Sequence, residues 1–250
     1  MFKVFVMKKT ERQSNIELLR IILIIMVITH HVMAHGLGFL SIKSPTYIVD
    51  KFTYYELAIN SFLMYSINSF IFISGYFGMK FKLRTVVTIF LQAFFYSVIL
   101  YLLFSYIYPS QWSIKHLIES FFPISRGEWW FISTYLGLYF VSPFLNKGVD
   151  ETDRGQMKFL LLGLLFFNCF AGFLFGTLSS ENGASILNFI VVYVLGRYIY
   201  KYKIEIKGPL LYLLFFTSIL FCSTIVLIKF NMSYKIWQIF YSMTDLSAWD

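Results

Sequence analysis

Long apolar runs separated by short polar breaks set the pattern of this chain. Eight runs can be marked, at residues 16–36, 57–77, 85–108, 130–145, 159–178, 186–202, 210–230 and 236–249. Most approach the roughly 20 residues that a helix needs to cross the hydrocarbon core. The fourth and sixth are short and the eighth is poorer. Backbone at membrane depth must satisfy its own hydrogen bonds, which selects helices over open strands. The pattern therefore predicts an all-α fold, a polytopic transmembrane helix bundle of about eight membrane segments. The breaks are short enough to make residues 1–250 a single membrane domain. Between the third and fourth runs, PSQWSIKHLIES sets Trp112, Ile114, Leu117 and Ile118 among polar residues. That spacing predicts a short amphipathic helix lying at the interface.

Composition agrees with the pattern. Hydrophobic residues make up 58% of the chain and charged residues only 14%, where a soluble domain carries about 25% charge. The lipid bilayer is thus the first expected partner. A net charge of +8 raises nucleic acid as another. The basic residues, however, fall in short clusters between apolar runs, as topology determinants do, and nucleic acid is excluded. Fifteen Lys and Arg residues lie on the side of the N-terminus, in 3–20, 80–84, 147–158 and 197–207, against six on the other side. This bias places the N-terminus in the cytoplasm. Cys169 and Cys222 sit within apolar runs and read as small core residues, with no disulfide and no metal site.

Ionisable residues in such runs are costly and need a reason. The first run reads RIILIIMVITHHVMAH from Arg20 to His35. Eleven residues at about 100° each are three turns and roughly 20°, so Arg20 and His31 share a helix face about 16 Å apart along the axis. His35 follows one turn later on that side, and His30 points away. His31 suits a general base or an acyl carrier, and Arg20 suits an anionic partner. The alternative is an ordinary positive-inside anchor with histidines lining the outer interface. A metal clamp by His31 and His35 lacks any nearby carboxylate or cysteine.

Two further stretches carry polar groups. In NSFIFISGYFGMKFKLR, Asn68, Ser69 and Ser74 fall inside a span, and Gly75 permits close backbone approach. In RGEWWFISTYLGLYFVSPFLNK, Glu128 stands beside Trp129 and Trp130 at the outer interface. This suits a carboxylate with aromatic platforms for a sugar, although interfacial tryptophans also form ordinary aromatic belts. Tyr135 either faces a cavity or packs.

Taken together, SNIELLRIILIIMVITHH, FIFISGYF with its basic turn, and WWFISTYLGLYFVSPFLN resemble the acyltransferase-3 family of integral membrane O-acyltransferases. Arg20, ten residues and His31 match the family's first-helix spacing, and the closest likeness is to the branch that acetylates capsular and other surface polysaccharides. The resemblance implies an O-acetyltransferase in a bacterial plasma membrane. It would move an acetyl group from cytoplasmic acetyl-CoA, a co-substrate rather than a bound cofactor, to a hydroxyl of a surface polysaccharide or lipid-linked glycan. It implies that His31 is catalytic together with Arg20. Arg20, Lys82 and Arg84 would meet the acyl-CoA donor. Glu128, Trp129, Trp130, Tyr135 and Ser74 would be acceptor-side candidates. Relatives have about ten spans, so C-terminal spans are expected to be missing after MTDLSAWD. The competing readings are a transporter or flippase-like protein for a glycan intermediate, and an inactive truncated remnant.

Overall fold

The computed structural model describes residues 14–36, 51–125, 129–171, 185–205 and 208. The last two apolar runs, Glu128 and Cys222 lie outside the described residues, as do the side chains of His35 and Cys169. Among the described residues 88% are helical and none is in a strand, which makes the fold all-α. The helices are α1 (Ser14–His31), continued by a π-helical turn (Val32–Gly36), α2 (Lys51–Leu63), α3 (Tyr65–Phe77) and α4 (Leu83–Ile107). They are followed by α5 (Ile114–Ser120), α6 (Trp130–Glu151), α7 (Arg154–Leu165) with a π-helical extension (Phe166–Ala171), and α8 (Ile186–Lys201).

Three described helices are long and apolar enough to cross a membrane: Ser14–Ala34, Ala58–Phe77 and Leu83–Ile107. They coincide with the first three apolar runs. The second crosses a turn at Met64, whose amide N–H donates to the Asn60 carbonyl at 3.0 Å, so the chain passes from α2 into α3 with little interruption. The amphipathic stretch forms α5 as the spacing predicts. Leu117 is half-buried while Trp112, Ile114 and Ile118 are exposed. Its entry is fastened by Tyr101 of α4, whose hydroxyl donates to the Ser113 carbonyl at 2.7 Å and accepts from the Ser113 N–H at 2.8 Å.

The described residues divide into two compact units that part within α3, between Phe70 and Ile71. The first holds α1, α2 and the beginning of α3. Its buried residues include Leu23, Met26, Met33, Ala34 and Leu63. The second runs from Ile71 through α8, and its core is α6 against α8, with Leu138, Tyr139, Phe189 and Tyr193 deeply buried.

Glycines let α3 close on α8. A Cβ on Gly75 would overlap the carbonyl oxygen of Tyr193 and stand 2.8 Å from its Cα, and one on Gly196 would stand 2.5 Å from the Phe72 oxygen. The two backbones therefore touch at a glycine-to-glycine crossing, the close approach anticipated for Gly75. Pro143 lies inside α6. It lacks an N–H, so the Tyr139 carbonyl loses its helical donor. The buried Ser142 hydroxyl donates to that carbonyl at 2.8 Å instead, keeping the polar group satisfied in an apolar setting.

Candidate functional site

The sequence candidates fall in both units, and each unit presents a distinct arrangement. In the first, Arg20 pairs with Glu17 on its own helix at 2.9 Å, with 41% of its side chain exposed. A pair this exposed adds little to stability and leaves the guanidinium accessible. The buried residues Leu23, Met26, Met33 and Ala34 lie along a stripe that also contains His30. The His30 ring nitrogen Nδ1 stands 2.7 Å from Asn60 Oδ1 on α2. Oδ1 can only accept, so Nδ1 is the donor in this contact. His31 lies one residue on, about 100° round the helix, and is exposed, with its ring 5.8 Å from that of His30. The shared face of Arg20 and His31 is thus the flank of the packed stripe, and His30 is the histidine turned towards α2. The π-helical turn begins immediately after His31, a local widening that is frequent at functional sites.

In the second unit the basic turn after α3 is held at several points. Gly78 ends α3 with φ of 73°, the left-handed cap that glycine adopts without strain, and its N–H donates to the Ser74 carbonyl at 3.0 Å. Buried Tyr193 accepts the Met79 N–H at 2.9 Å and donates to Asn146 Oδ1 at 2.8 Å. Asn146 Nδ2 donates to the Met79 carbonyl at 2.9 Å. Tyr139 donates to the Lys80 carbonyl at 2.7 Å and accepts the Lys82 N–H at 2.9 Å. Lys82 is extended, with φ −141° and ψ 121°. Phe81 rests its ring against Tyr139 and Phe140, each 5.4 Å away, while the Lys80 and Lys82 side chains are exposed. Arg84 sits in the first turn of α4 and is exposed as well. Among the described residues no acidic side chain pairs with Lys80, Lys82 or Arg84.

Neighbouring cations are engaged differently. Arg197 binds Asp150 at 3.0 Å with only 12% of its side chain exposed. Lys201 donates to the carbonyls of Val149, Asp150 and Thr152 at 2.6, 3.1 and 2.8 Å. It caps the C-terminal end of α6, where a positive charge is favoured. Basic residues that look alike in the sequence thus separate into structural ones, Arg197 and Lys201, and presented ones, residues 80–84.

The other end of α6 is aromatic. Trp129 precedes the helix and is half-buried. The Trp130 ring lies 6.0 Å from Phe131 and 6.3 Å from Phe189. Tyr135 stacks on Phe131 at 5.9 Å, so its ring packs in this cluster. Trp130 and Tyr139 are separated by about 13 Å along the helix axis, so one rigid helix connects the aromatic end with the basic turn. Ser74 is half-buried on α3.

A family model described as an acyltransferase domain, that of the acyltransferase-3 family, matches residues 13–249. The chain belongs to the acyltransferase-3 family. It is therefore an acyltransferase, and its apolar helices make it a membrane protein. No match is found among curated proteins or among solved structures. The match takes in every sequence candidate, including Arg20, His31, Lys82 and Arg84. Four residues that shape this acyltransferase were absent from the sequence candidates: Asn60, Tyr139, Asn146 and Tyr193. The two asparagines carried a usable signal, because an amide inside or bordering an apolar run needs a partner. The tyrosines carried none, being two among 18.

Proposed function

We propose that this acyltransferase is an O-acetyltransferase of a surface or lipid-linked polysaccharide. It is multi-pass, with a cytoplasmic N-terminus, in a bacterial plasma membrane. The observation that carries the reading is family membership across residues 13–249, which includes the arginine and histidine eleven positions apart on the first helix. In this reading the phosphates of acetyl-CoA are met on the cytoplasmic side by Arg20, Lys82 and Arg84. The acceptor is met by Trp129, Trp130, Tyr135 and Ser74, with Glu128 beside them in sequence. His31 takes the proton from a glycan hydroxyl as its oxygen attacks the thioester carbonyl. The C–O bond forms, the C–S bond breaks, and the coenzyme leaves as a thiolate that is then protonated. A variant of this route has His31 carry the acetyl group itself before passing it to the hydroxyl.

A second assignment of the base is favoured by one contact. His30, held by Asn60 at 2.7 Å, has the base-and-orienter arrangement of an acid–base histidine. The two assignments separate by mutation. His31→Ala, with membrane level unchanged, is expected to abolish acetate on the host polysaccharide as read by NMR. His30→Ala is expected to leave it largely in place. Full acetylation in His31→Ala together with loss in His30→Ala transfers the role to His30. Acetate that does not depend on this chain overturns the function itself.

A further inference from the structure

Three side chains from α6 and α8 are committed to the main chain of a four-residue turn. Tyr139, Asn146 and Tyr193 together satisfy the Met79 N–H and carbonyl, the Lys80 carbonyl and the Lys82 N–H. The buried Met79 N–H needs such a partner, but Lys80 and Lys82 are exposed residues whose main-chain groups water would serve, so satisfaction alone does not account for the Tyr139 bridge. What it achieves is immobility of backbone. Phe81 is tucked against Tyr139 and Phe140, and the flanking Lys80 and Lys82 remain exposed with no acidic partner among the described residues. A turn ordered before its ligand arrives avoids the loss of backbone freedom on binding.

We propose that Tyr139 is a positioning residue for the donor. Through its bridge between Lys80 and Lys82, assisted by Asn146 and Tyr193, it holds both ammonium groups ready for the phosphates of the coenzyme. This assigns Lys80 to donor binding beside Lys82. The inference rests on the acetyl-CoA reading above. Tyr139 touches no reacting atom in this role. Its loss leaves only a fraction of molecules with the turn in place, and apparent affinity falls by that fraction. With two hydrogen bonds removed, the expected loss is roughly tenfold.

The test uses the full chain in membrane vesicles, with acetyl-CoA as donor and adenosine bisphosphate as a phosphate-bearing inhibitor without a thioester. Tyr139→Phe keeps the ring against Phe81 and removes the hydroxyl. The KM for acetyl-CoA and the inhibition constant of adenosine bisphosphate should both rise roughly tenfold, with kcat within about twofold. Lys80→Gln and Lys82→Gln, at exposed positions that do not threaten folding, should raise the same two constants. An unchanged KM in Lys80→Gln overturns the assignment of Lys80. A fall in kcat at constant KM in Tyr139→Phe marks a merely structural tyrosine and overturns its positioning role. Vesicles of neutral lipid and vesicles containing anionic lipid should behave alike. Effects confined to anionic vesicles identify lipid headgroups as the ligand of the turn and overturn the proposal. A wild-type protein that neither uses acetyl-CoA nor responds to adenosine bisphosphate removes the donor reading, and this inference with it. Wild-type activity with unchanged constants in the variants removes this inference alone.

Discussion

Substituting alanine for two helical glycines should have opposite effects, and the structure sets the sign of each. A glycine inside a helix ordinarily costs about 0.5–1 kcal/mol relative to alanine. At Gly163 on α7 an added Cβ meets nothing within 4 Å, so Gly163→Ala should raise stability by about that amount. At Gly75 the same methyl group would overlap the Tyr193 carbonyl oxygen and stand 2.8 Å from the Tyr193 Cα. Favourable carbon–carbon separations are about 3.5–4.0 Å, so α3 and α8 must move apart by roughly 1 Å. A gap of that size forfeits a quarter to a half of each dispersion contact along the crossing, and overpacking typically costs about 1–3 kcal/mol. After subtracting the helix-propensity gain, Gly75→Ala should destabilise by about 1–2 kcal/mol. For a chain of this size that is a fall of roughly 2–8 °C in Tm. The assay is thermal unfolding of detergent-solubilised protein, with Gly163→Ala alongside as the control. Gly196→Ala should behave as Gly75→Ala does, and the double variant should cost less than the sum, because the helices are parted only once. A Gly75→Ala protein as stable as wild type would refute the crossing.

Two further variants probe how polar groups are satisfied around α6. Ser142→Ala leaves the Tyr139 carbonyl without its donor and should cost about 1–3 kcal/mol in the same unfolding assay. Adding Pro143→Ala restores a backbone N–H to that carbonyl, and the Ser142→Ala penalty should shrink in the double variant; equal penalties in both backgrounds would show that the proline is not the reason for the serine. Lys201→Met removes a cation that caps three carbonyls and should cost about 1–3 kcal/mol, with faster proteolysis in the turn around Thr152. Unaltered cleavage there would mean that the turn holds itself.

Much of the fold was legible because membrane depth leaves few choices. The apolar runs at 57–77 and 85–108 end within two residues of the candidate spans Ala58–Phe77 and Leu83–Ile107, since a helix is the economical way to satisfy a backbone in lipid. The role of Gly75 was legible too, because an absent side chain inside a span has packing as its commonest use. To this the structure adds that the half-buried Tyr135 stacks its ring on Phe131.

By itself, then, the sequence determined the helical class, the position of the first helices, the common face of Arg20 and His31, and the likeness to a family of acyltransferases. These follow from local periodicity and from short-range spacing. Only the tertiary structure decided which charges are held and which are offered. Arg197 and Lys201 are engaged by Asp150 and by carbonyls some 50 residues away in the chain, whereas the backbone between Lys80 and Lys82 is fixed by Tyr139, 57 and 59 residues away. Likewise helical geometry put His31 with Arg20, but α2 had to be in place before His30 could be seen to face Asn60. A hydrogen bond depends on two positions at once, and when they are far apart in sequence no local pattern records it.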